Sequence, residues 1–488
     1  MKLAKAFVLF SGGSIVGILT QVVKGKLMAV ILGTAGIGVF SQLTRIFSFS
    51  FTLSSLGFKN GTVKTISEAL RDDDYKKYID EYSSVTIFLA LISSIASSLG
   101  IIFSKAISHF LFDDKGGNYV LVSIVFAIVP VAVMTSSYKS LLSGHVAVKK
   151  MVKSQIISDL FSIIPFLILM YYFSLLGATI AFCIYQVLRL CFFVFFYGKE
   201  VGYIPIPKRI NFVWFHIIKN LKYGISGVFL GSLNLLITLY IGRTVIAELG
   251  SSDNGLLSAA LRVTTLYFGA IHANAASYYF PLLVKARKKS EFQTLIEETN
   301  TFYMYLLPPI IMGLMCFGEL LMQVLFSSEF KYAGKILMFF LLGDLFRISN
   351  ETRGLVFLAK EKFKPYNVQY VVWGGCYTLT SILVLDKIGI LGVGIAYLIS
   401  HVMNFVVISF FIKKEFQIGI SKSFMKSFFA AIFSCLLVLL VNYHYDQVWL
   451  RISASLSFFM LWFGYSYTQN DFKEYLSIAI KKLSKIIS

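Results

Sequence analysis

The chain has 488 residues, of which 57% are hydrophobic and only 14% are charged, and its mean hydropathy is +0.75. Ordinary soluble domains carry about 25% charged residues, so this composition excludes a soluble globular protein. Only eight prolines occur, and with so much apolar content the disordered and fibrous classes are excluded too. A polytopic membrane protein remains, and its net charge of +20 needs an explanation.

Apolar runs long enough to cross a bilayer recur along the whole chain, since a transmembrane helix needs about 20 apolar residues. Their continuity excludes a transmembrane β-barrel, whose strands are short and alternate between polar and apolar residues. We therefore predict an all-α polytopic membrane protein with about 14 transmembrane helices. In chain order the runs lie near 5–31, 36–58, 83–105, 118–142, 154–175, 177–197, 221–247, 254–284, 300–323, 333–358, 366–385, 388–412, 426–443 and 448–467.

The basic residues follow the topology of these runs. With the N-terminus inside, thirty of the 45 lysines and arginines fall in inside segments, and eight lie at outside ends. Cytoplasmic loops carry such an excess of basic residues, so both termini are predicted to face the cytoplasm. Most of the net charge then orients helices. No nucleic-acid partner is expected, because no continuous soluble segment or motif offers a binding groove.

The sequence also contains an internal repeat with an offset of 217 residues. The matched positions are basic residues and glycines, namely Lys26 with Arg243, Gly33 with Gly250, Gly38 with Gly255 and Arg45 with Arg262. Each copy holds six spans, an even number, so the copies are parallel and related by an axis along the membrane normal. The predicted divisions are an N-lobe at 1–199, a cytoplasmic linker at 200–220, a C-lobe at 221–414, two extra helices in 415–467 and an amphipathic cytoplasmic tail at 468–488.

Six cations within the spans or at their outer ends are candidates for binding an anion. A charge at bilayer depth costs about 2.5–3.5 kcal/mol on insertion scales, so it needs a reason. Arginine suits phosphate because its forked donors bind two oxygens at once. The alternative for Lys24, Lys26 and Arg243 is that they extend to the outer interface. The six candidates are Arg45, Arg262, Lys24, Lys26, Arg243 and Arg189.

Other polar side chains extend this hypothesis. Asp159 is the clearest acid in the same helices, either as a site of H⁺ or Na⁺ coupling or as an ion-pair partner. Asp344, Arg347 and Glu351, spaced i, i+3 and i+7, are expected to neutralise one another. The candidates for lining a polar cavity are Gln21, Ser48, Thr52, Asn234 and Gln186. Candidates for contacting sugar, with a membrane-interface belt as the alternative, are Trp373, Tyr377, Tyr397, His401 and Asn404.

The segment LGTAGIGVFSQLTRI, followed by LSSLGFKNGTVKTISEA, resembles the start of the bacterial polysaccharide (O-antigen type) flippases. These belong to a superfamily shared with the MATE multidrug exporters and the peptidoglycan-precursor flippases. The resemblance implies two six-helix bundles in a V and alternating access. It also implies transport of a polyprenyl-diphosphate-linked oligosaccharide from the inner to the outer leaflet of the bacterial cytoplasmic membrane. On this resemblance the cavity cations are Arg45 and Arg262, with Lys24 or Lys26 on the first helix.

The same resemblance implies membrane lipids and proteins of polysaccharide assembly, such as a polymerase, as partners. No enzymatic activity, metal or organic cofactor is expected, and transport is driven by H⁺ or Na⁺ coupling or by the membrane potential alone. Two alternatives stay open. One is a cation-coupled multidrug exporter of the MATE type. Such an exporter would need carboxylates in its cavity, and the first two predicted helices, 5–31 and 36–58, contain none. The other is a membrane enzyme of polysaccharide assembly, and the sequence feature that supports it is the DxD-like run at 72–74.

Overall fold

A computed structural model describes residues 2–113, 117–201, 213–286, 288–445, 447–469 and 472–473. Within these ranges the chain is almost entirely α-helical and contains no β-strand, as the continuous apolar runs predict. The chain divides into two compact units, Met1–Gly255 with Leu325–Ser327 and Leu256–Val324 with Ser328–Ser488. The domain boundaries given by the sequence stay a prediction.

In the part of the chain that the structure describes, the first unit is built from nine helices and the start of a tenth. They are α1 (Lys2–Ser55), α2 (Phe58–Arg71), α3 (Tyr75–Ile102), α4 (Ser104–Phe112), α5 (Tyr119–Ala127), α6 (Val129–Gly144), α7 (Val148–Phe161), α8 (Ile163–Val201), α9 (Trp214–Leu249) and the first turn of α10 (Ser251–Lys285). Its apolar core joins Leu43 and Phe47 of α1 to Val122 of α5, Val129 of α6 and Leu239 of α9.

The second unit continues α10 and adds seven helices. These are α11 (Lys289–Cys316), α12 (Gly318–Leu325), α13 (Ala333–Ala359), α14 (Phe363–Ile388), α15 (Leu391–Phe416), α16 (Lys422–His444) and α17 (Val448–Tyr467), with one 3₁₀ turn at Ser328–Phe330. One of its apolar clusters packs Leu283 of α10 and Phe292 of α11 against Phe357 of α13 and Ile408 of α15.

Several long helices change direction at a residue with a positive φ. Gly33 interrupts α1 (φ 65°, ψ −168°), and Gly250 separates α9 from α10 (φ 98°, ψ 169°). Only glycine adopts such a conformation without steric cost, so the repeat has kept the residue that each break requires. A third break lies at Ser174 in α8 (φ 47°). The runs predicted at 5–31 and 36–58, and at 154–175 and 177–197, are therefore each one interrupted helical element.

Among the described residues, eight helical elements are long and apolar enough to cross a membrane, or nine if the bent pair α11 and α12 is one span. Two of the eight, Val16–Ser55 and Val148–Val201, contain the breaks at Gly33 and Ser174. The multi-pass all-α class is confirmed, whereas the count of fourteen stays a prediction. Of the predicted tail, residues 470–471 and 474–488 lie outside the described residues, while Phe472 is buried against Tyr305 and Trp462.

The repeat-related segments cross each other inside the first unit with no side chain between them. A Cβ atom on Gly38 would lie 1.8 Å from the carbonyl oxygen of Ser251, and one on Gly255 would lie 2.0 Å from that of Thr34. The offset of 217 residues exchanges Gly38 with Gly255 and Thr34 with Ser251. The contact is thus a symmetric one between equivalent positions, which supports the register of the repeat.

Candidate functional site

Lys24 lies in a buried polar cluster of the first unit, where α1 meets α7 and α8. Its side chain is 8% exposed, and its Nζ donates a hydrogen bond of 2.5 Å to Ser162 Oγ. The same ammonium lies 4.3 Å from the ring centroid of Tyr185 and 4.8 Å from that of Phe166. Aromatic faces attract a cation through the ring quadrupole. These contacts place the ammonium of Lys24 among side chains of its own unit, whereas the alternative was that the side chain extends to the outer membrane interface.

Asp159 belongs to the same cluster and is also buried. Tyr185 Oη donates a 2.7 Å hydrogen bond to Asp159 Oδ1, and the hydroxyl of Ser162 donates to the backbone oxygen of Asp159. Gly17 of α1 leaves room for the carboxylate, since a Cβ there would lie 3.4 Å from Oδ2. Among the described residues Asp159 makes no ion pair within 4.0 Å. Tyr185 and Ser162 therefore link the acid to Lys24.

Arg189 and Gln186 follow Tyr185 along α8. The guanidinium of Arg189 lies 5.4 Å from the Tyr185 ring centroid, on a ring that also contacts Lys24. Its Nε is buried and has no hydrogen-bond partner within the described part of the chain. Gln186 is buried at 4% exposure. The structure thus brings together three predicted residues, Lys24, Asp159 and Arg189, around one tyrosine.

Arg45 lies in a second polar network, built at the crossing of α1 with α9 and α10. Its NH1 donates to Gln42 Oε1 at 2.9 Å and to Asn254 Oδ1 at 3.2 Å. Gln42 donates to the carbonyl oxygen of Leu239, and Asn254 donates to that of Gly38 at 2.7 Å. Both amide side chains are fully buried. The two amides therefore fix the position of a half-buried guanidinium.

The remaining candidate cations occupy different surroundings. Arg243 donates through Nε to the carbonyl oxygen of Phe110 at 3.0 Å and stacks on the Phe110 ring at 5.0 Å. Lys26 is half-buried in α1. Arg262, the repeat partner of Arg45, is half-buried in α10 and belongs to the second unit.

The residues predicted to line a polar cavity differ in their exposure within the first unit. Gln21 and Asn234 are exposed, whereas Ser48 and Thr52 are half-buried. Ser48 donates to the carbonyl oxygen of Thr44, and Thr52 lies beside Gly231 of α9. Gln186 is the buried member of the set and follows Tyr185 directly on α8.

The second unit has its own charged cluster on α13 and α15. Arg347 Nε donates to Glu351 Oε1 at 2.9 Å, and its NH1 lies 3.7 Å from Asp344 Oδ1. Tyr397 Oη donates to the same oxygen of Asp344 at 2.8 Å. The predicted mutual neutralisation of Asp344, Arg347 and Glu351 is confirmed. Here a cation lies between two carboxylates.

Aromatic rings border this cluster. Tyr397 packs edge-on against His401 with 4.4 Å between centroids, and Trp373 lies 5.4 Å from His401 and stacks on Tyr377. Both imidazole nitrogens of His401, the indole Nε1 of Trp373 and Oδ1 of Asn404 are buried without a hydrogen-bond partner in the described chain. The five predicted sugar-contacting residues thus lie in the interior of one unit, so an interface belt does not describe them.

A model of the family described as "Polysaccharide biosynthesis protein" matches residues 27–334, which is well over half of the chain. The chain belongs to this family. Among curated proteins, this polysaccharide biosynthesis protein is similar to the capsular polysaccharide biosynthesis protein CapF of Staphylococcus aureus. The two are 30% identical over 196 residues, which cover 38% of this chain and 47% of the relative. The match therefore spans slightly less than half the length of that relative.

Solved structures show the fold of this family member. The lipid II flippase MurJ in an inward closed conformation aligns with a TM-score of 0.73 and 16% identity, over 95% of this chain and 99% of that one. An inward-facing MATE-family multidrug resistance transporter of the MOP superfamily aligns with a TM-score of 0.69 and 13% identity, over 84% and 96%. The fold is thus that of flippases and exporters, and the prediction of a transporter fold in place of an enzyme is confirmed.

The sequence analysis did not single out the neutral partners of these cations. They are Tyr185, Phe166, Ser162, Gln42 and Asn254. Gln42 carries a local signal, because it precedes Arg45 by three residues on the same helical face. The others are distant in sequence, and only the packing of the helices places them beside Lys24 or Arg45.

Proposed function

We propose that this protein is a flippase that moves a polyprenyl-diphosphate-linked oligosaccharide from the inner to the outer leaflet of the bacterial cytoplasmic membrane. The observation that carries the proposal is a polysaccharide biosynthesis family assignment on a chain that folds like a lipid II flippase. Polysaccharide repeat units are built on lipid carriers, so a membrane protein with a flippase fold in such a family fits the translocation of that carrier. An O-antigen-type repeat unit is the finer part of this proposal.

The proposed recognition of the cargo rests on cations held at depth. Two buried amide side chains position Arg45. Its guanidinium is thereby held in a fixed orientation, and its forked donors suit a diphosphate. Arg262 supplies the equivalent residue of the second repeat, and Lys24 and Arg189 share the Tyr185 ring. Lys26 and Arg243 complete the proposed set near the outer ends. The oligosaccharide would follow the diphosphate, while the lipid tail stays in the bilayer.

The proposed direction has an electrostatic driving force. A membrane potential that is negative inside favours outward movement of an anion by about 2.3 kcal/mol per charge per 100 mV. Coupling to H⁺ or Na⁺ is a further part of the proposal, with Asp159 as its site. Support for that role comes from the burial of its carboxylate and from Tyr185, the one side-chain donor to it among the described residues.

A cation-coupled multidrug exporter is the second candidate, favoured by the similarity of this fold to a MATE transporter. That function calls for carboxylates facing a cationic drug. The acid on the first-unit helices that fits is Asp159, and its neighbour Lys24 is a cation. The family assignment to polysaccharide biosynthesis therefore favours the flippase over the exporter.

The test is translocation of a fluorescent polyprenyl-diphosphate oligosaccharide in proteoliposomes. We expect the double variant Arg45→Ala with Arg262→Ala to lose at least tenfold in rate, and the double lysine variant to retain more activity because it keeps the charge. Lys331→Ala is the matched control, since Lys331 is an exposed cation outside the proposed set. Full translocation by the double alanine variant would exclude the cationic site, and transport of cationic drugs without the lipid carrier would favour the exporter.

A further inference from the structure

The second unit contains a cavity that no part of the proposed transport path uses. It opens where α11, α13 and α15 meet the start of α16, and it encloses about 330 Å³ including the solvent at its mouth. Its walls combine apolar side chains with a small polar group. The polar lining residues are Glu297, Asn300, Arg353, Ser409 and Ser421.

Arg353 of α13 is the residue that calls for an explanation. It is only 4% exposed, and its guanidinium lies between the rings of Phe405 at 4.5 Å and Phe424 at 5.1 Å. Its one hydrogen bond in the described chain runs from NH1 to Ser409 Oγ at 2.7 Å. None of the described carboxylates lies within 4.0 Å of it.

A buried charge without a counter-charge is unfavourable by several kcal/mol, so native proteins pair such groups. Arg347, two turns earlier on the same helix, obeys this rule with two carboxylates. Arg353 does not, although it lines a cavity that is open to solvent. The missing counter-charge is therefore expected to come from outside the chain.

The part of the cavity wall formed by α16 also favours an anion. Ser421 is the N-cap of α16, and its Oγ accepts a hydrogen bond from the backbone N–H of Phe424. The first N–H groups of a helix have no acceptor within the helix and carry its positive dipole end. α16 has 23 residues, and Lys422 and Lys426 in its first turns add positive charge.

Glu297 is the acid among the lining residues and opposes an anion. Its Oε1 accepts a hydrogen bond of 2.9 Å from Gln293 Nε2, one turn earlier on α11. That contact directs the carboxylate along its own helix, whereas Arg353 and Ser421 belong to α13 and to the start of α16. The cationic part of the cavity is thus the part formed by Arg353, Ser409 and Ser421.

We infer that this cavity binds a phosphate group, with Arg353 as its counter-charge and the start of α16 as its hydrogen-bond donor. The two sources of that chemistry are the headgroup of an anionic phospholipid and a soluble phosphate compound. In either case the ligand ties α16 to the helices α11, α13 and α15. The inference does not depend on the proposed flippase activity, because every group involved lies within the second unit.

The experiment measures the thermal unfolding of the full-length protein, purified and delipidated in a maltoside detergent that contains no phosphate. Phosphatidylglycerol forms one arm and inorganic pyrophosphate the other, with diacylglycerol and sodium chloride of equal ionic strength as controls. We expect a rise in Tm of about 2–4 °C in at least one phosphate arm and no comparable rise in the controls. A rise with phosphatidylglycerol alone assigns the site to lipid, and a rise with pyrophosphate assigns it to soluble phosphate.

The variant Arg353→Met separates a ligand site from a structural role. Replacing an unpaired buried charge by an apolar side chain of similar length is neutral or stabilising, so we expect an unchanged or higher Tm without phosphate and loss of the phosphate-dependent rise. Lys362→Met is the matched control, because it removes a half-exposed cation that follows α13 and is paired with Glu415. No rise in either phosphate arm, or a rise that survives in Arg353→Met, would overturn the inference.

Discussion

The two halves of the repeat agree in their backbone and differ in their buried charges. Gly33 and Gly250 break the chain at equivalent positions, both with positive φ. At the offset of 217 residues, however, Lys24 corresponds to Ile241, and the partner that Arg45 finds in Gln42 corresponds to Ala259. The hydrogen bonds of Arg45 therefore cannot recur at Arg262. Duplication preserved the crossing of the helices, while each half acquired its own polar chemistry.

The two buried clusters show what this difference means physically. In the first unit the ammonium of Lys24 rests on two aromatic rings and a hydroxyl, and Asp159 is reached through Tyr185. In the second unit Arg347 lies directly between two carboxylates. In the second cluster the guanidinium pairs directly with both carboxylates, whereas in the first Tyr185 and Ser162 link Lys24 to Asp159. The two clusters therefore join acid and cation in different ways.

The largest expected effect comes from the cluster that Asp344, Arg347 and Glu351 form in the second unit. Asp344→Ala removes the acceptor of Tyr397 Oη and one of the two carboxylates that face Arg347, in a fully buried position. We expect a loss of about 3 kcal/mol in the free energy of unfolding, because a buried hydroxyl and part of a buried charge lose their partners. Denaturant unfolding of the detergent-purified protein measures it.

Asp344→Asn is the control, since the amide oxygen still accepts from Tyr397 while the charge is removed. It is expected to lose less stability than Asp344→Ala. Equal losses in the two variants would show that the charge, and not the hydrogen bond, holds this cluster together. If both variants unfold with the same free energy as the original protein, the described pairing of Asp344 with Arg347 does not stabilise the fold.

An intermediate effect is expected at the symmetric crossing. A Cβ atom on Gly38 or Gly255 would meet a backbone carbonyl oxygen at 1.8 or 2.0 Å, and backbone atoms cannot rotate out of the way. Gly38→Ala and Gly255→Ala should therefore each lose about 2 kcal/mol, by amounts that agree with each other. Gly227→Ala in α9 is the matched control, because nothing lies within 4 Å of a Cβ there. If Gly38→Ala and Gly255→Ala lose clearly different amounts of unfolding free energy, the two sides of the crossing are not equivalent.

The smallest effect is expected in the first cluster. Tyr185→Phe keeps the ring that contacts Lys24 and removes the hydroxyl that donates to Asp159. We expect a loss of about 1 kcal/mol in the free energy of unfolding, the contribution of one hydrogen bond. A loss as large as that of Asp344→Ala would mean that the two clusters are held together in the same way, and the contrast between the units would fail.

Much of the fold was predictable because membrane insertion imposes a simple rule on the sequence. Apolar runs of helix length gave the all-α class, and the breaks at Gly33 and Gly250 fall between predicted runs. Within α1 the runs predicted at 5–31 and 36–58 lie on the two sides of Gly33, where two helices meet at a kink, and their separation into two spans stays a prediction. Two spans and one interrupted helix leave the same composition, so hydropathy does not distinguish them.

The candidate site was predictable by residue type but not by partner. A charge in an apolar run is conspicuous, so Lys24, Arg45 and Asp159 could be identified from the sequence alone. Their neutral partners Tyr185 and Asn254 are unremarkable in sequence, and which helix faces which is decided by packing over the whole unit. Arg353 lies near the end of the run predicted at 333–358, and the structure buries it between two rings.

The crossing at Gly38 and Gly255 also constrains how this gene can change. Each glycine touches the backbone of the other copy, so a mutation in one half acts at once on the other half. Neither glycine can be replaced without affecting the other copy, although the residues around the two glycines have diverged. In the genes of related proteins this shared constraint would appear as two codons, 217 positions apart, that remain glycine together, and such a pair would mark the ancient duplication even where the rest of its record has been lost.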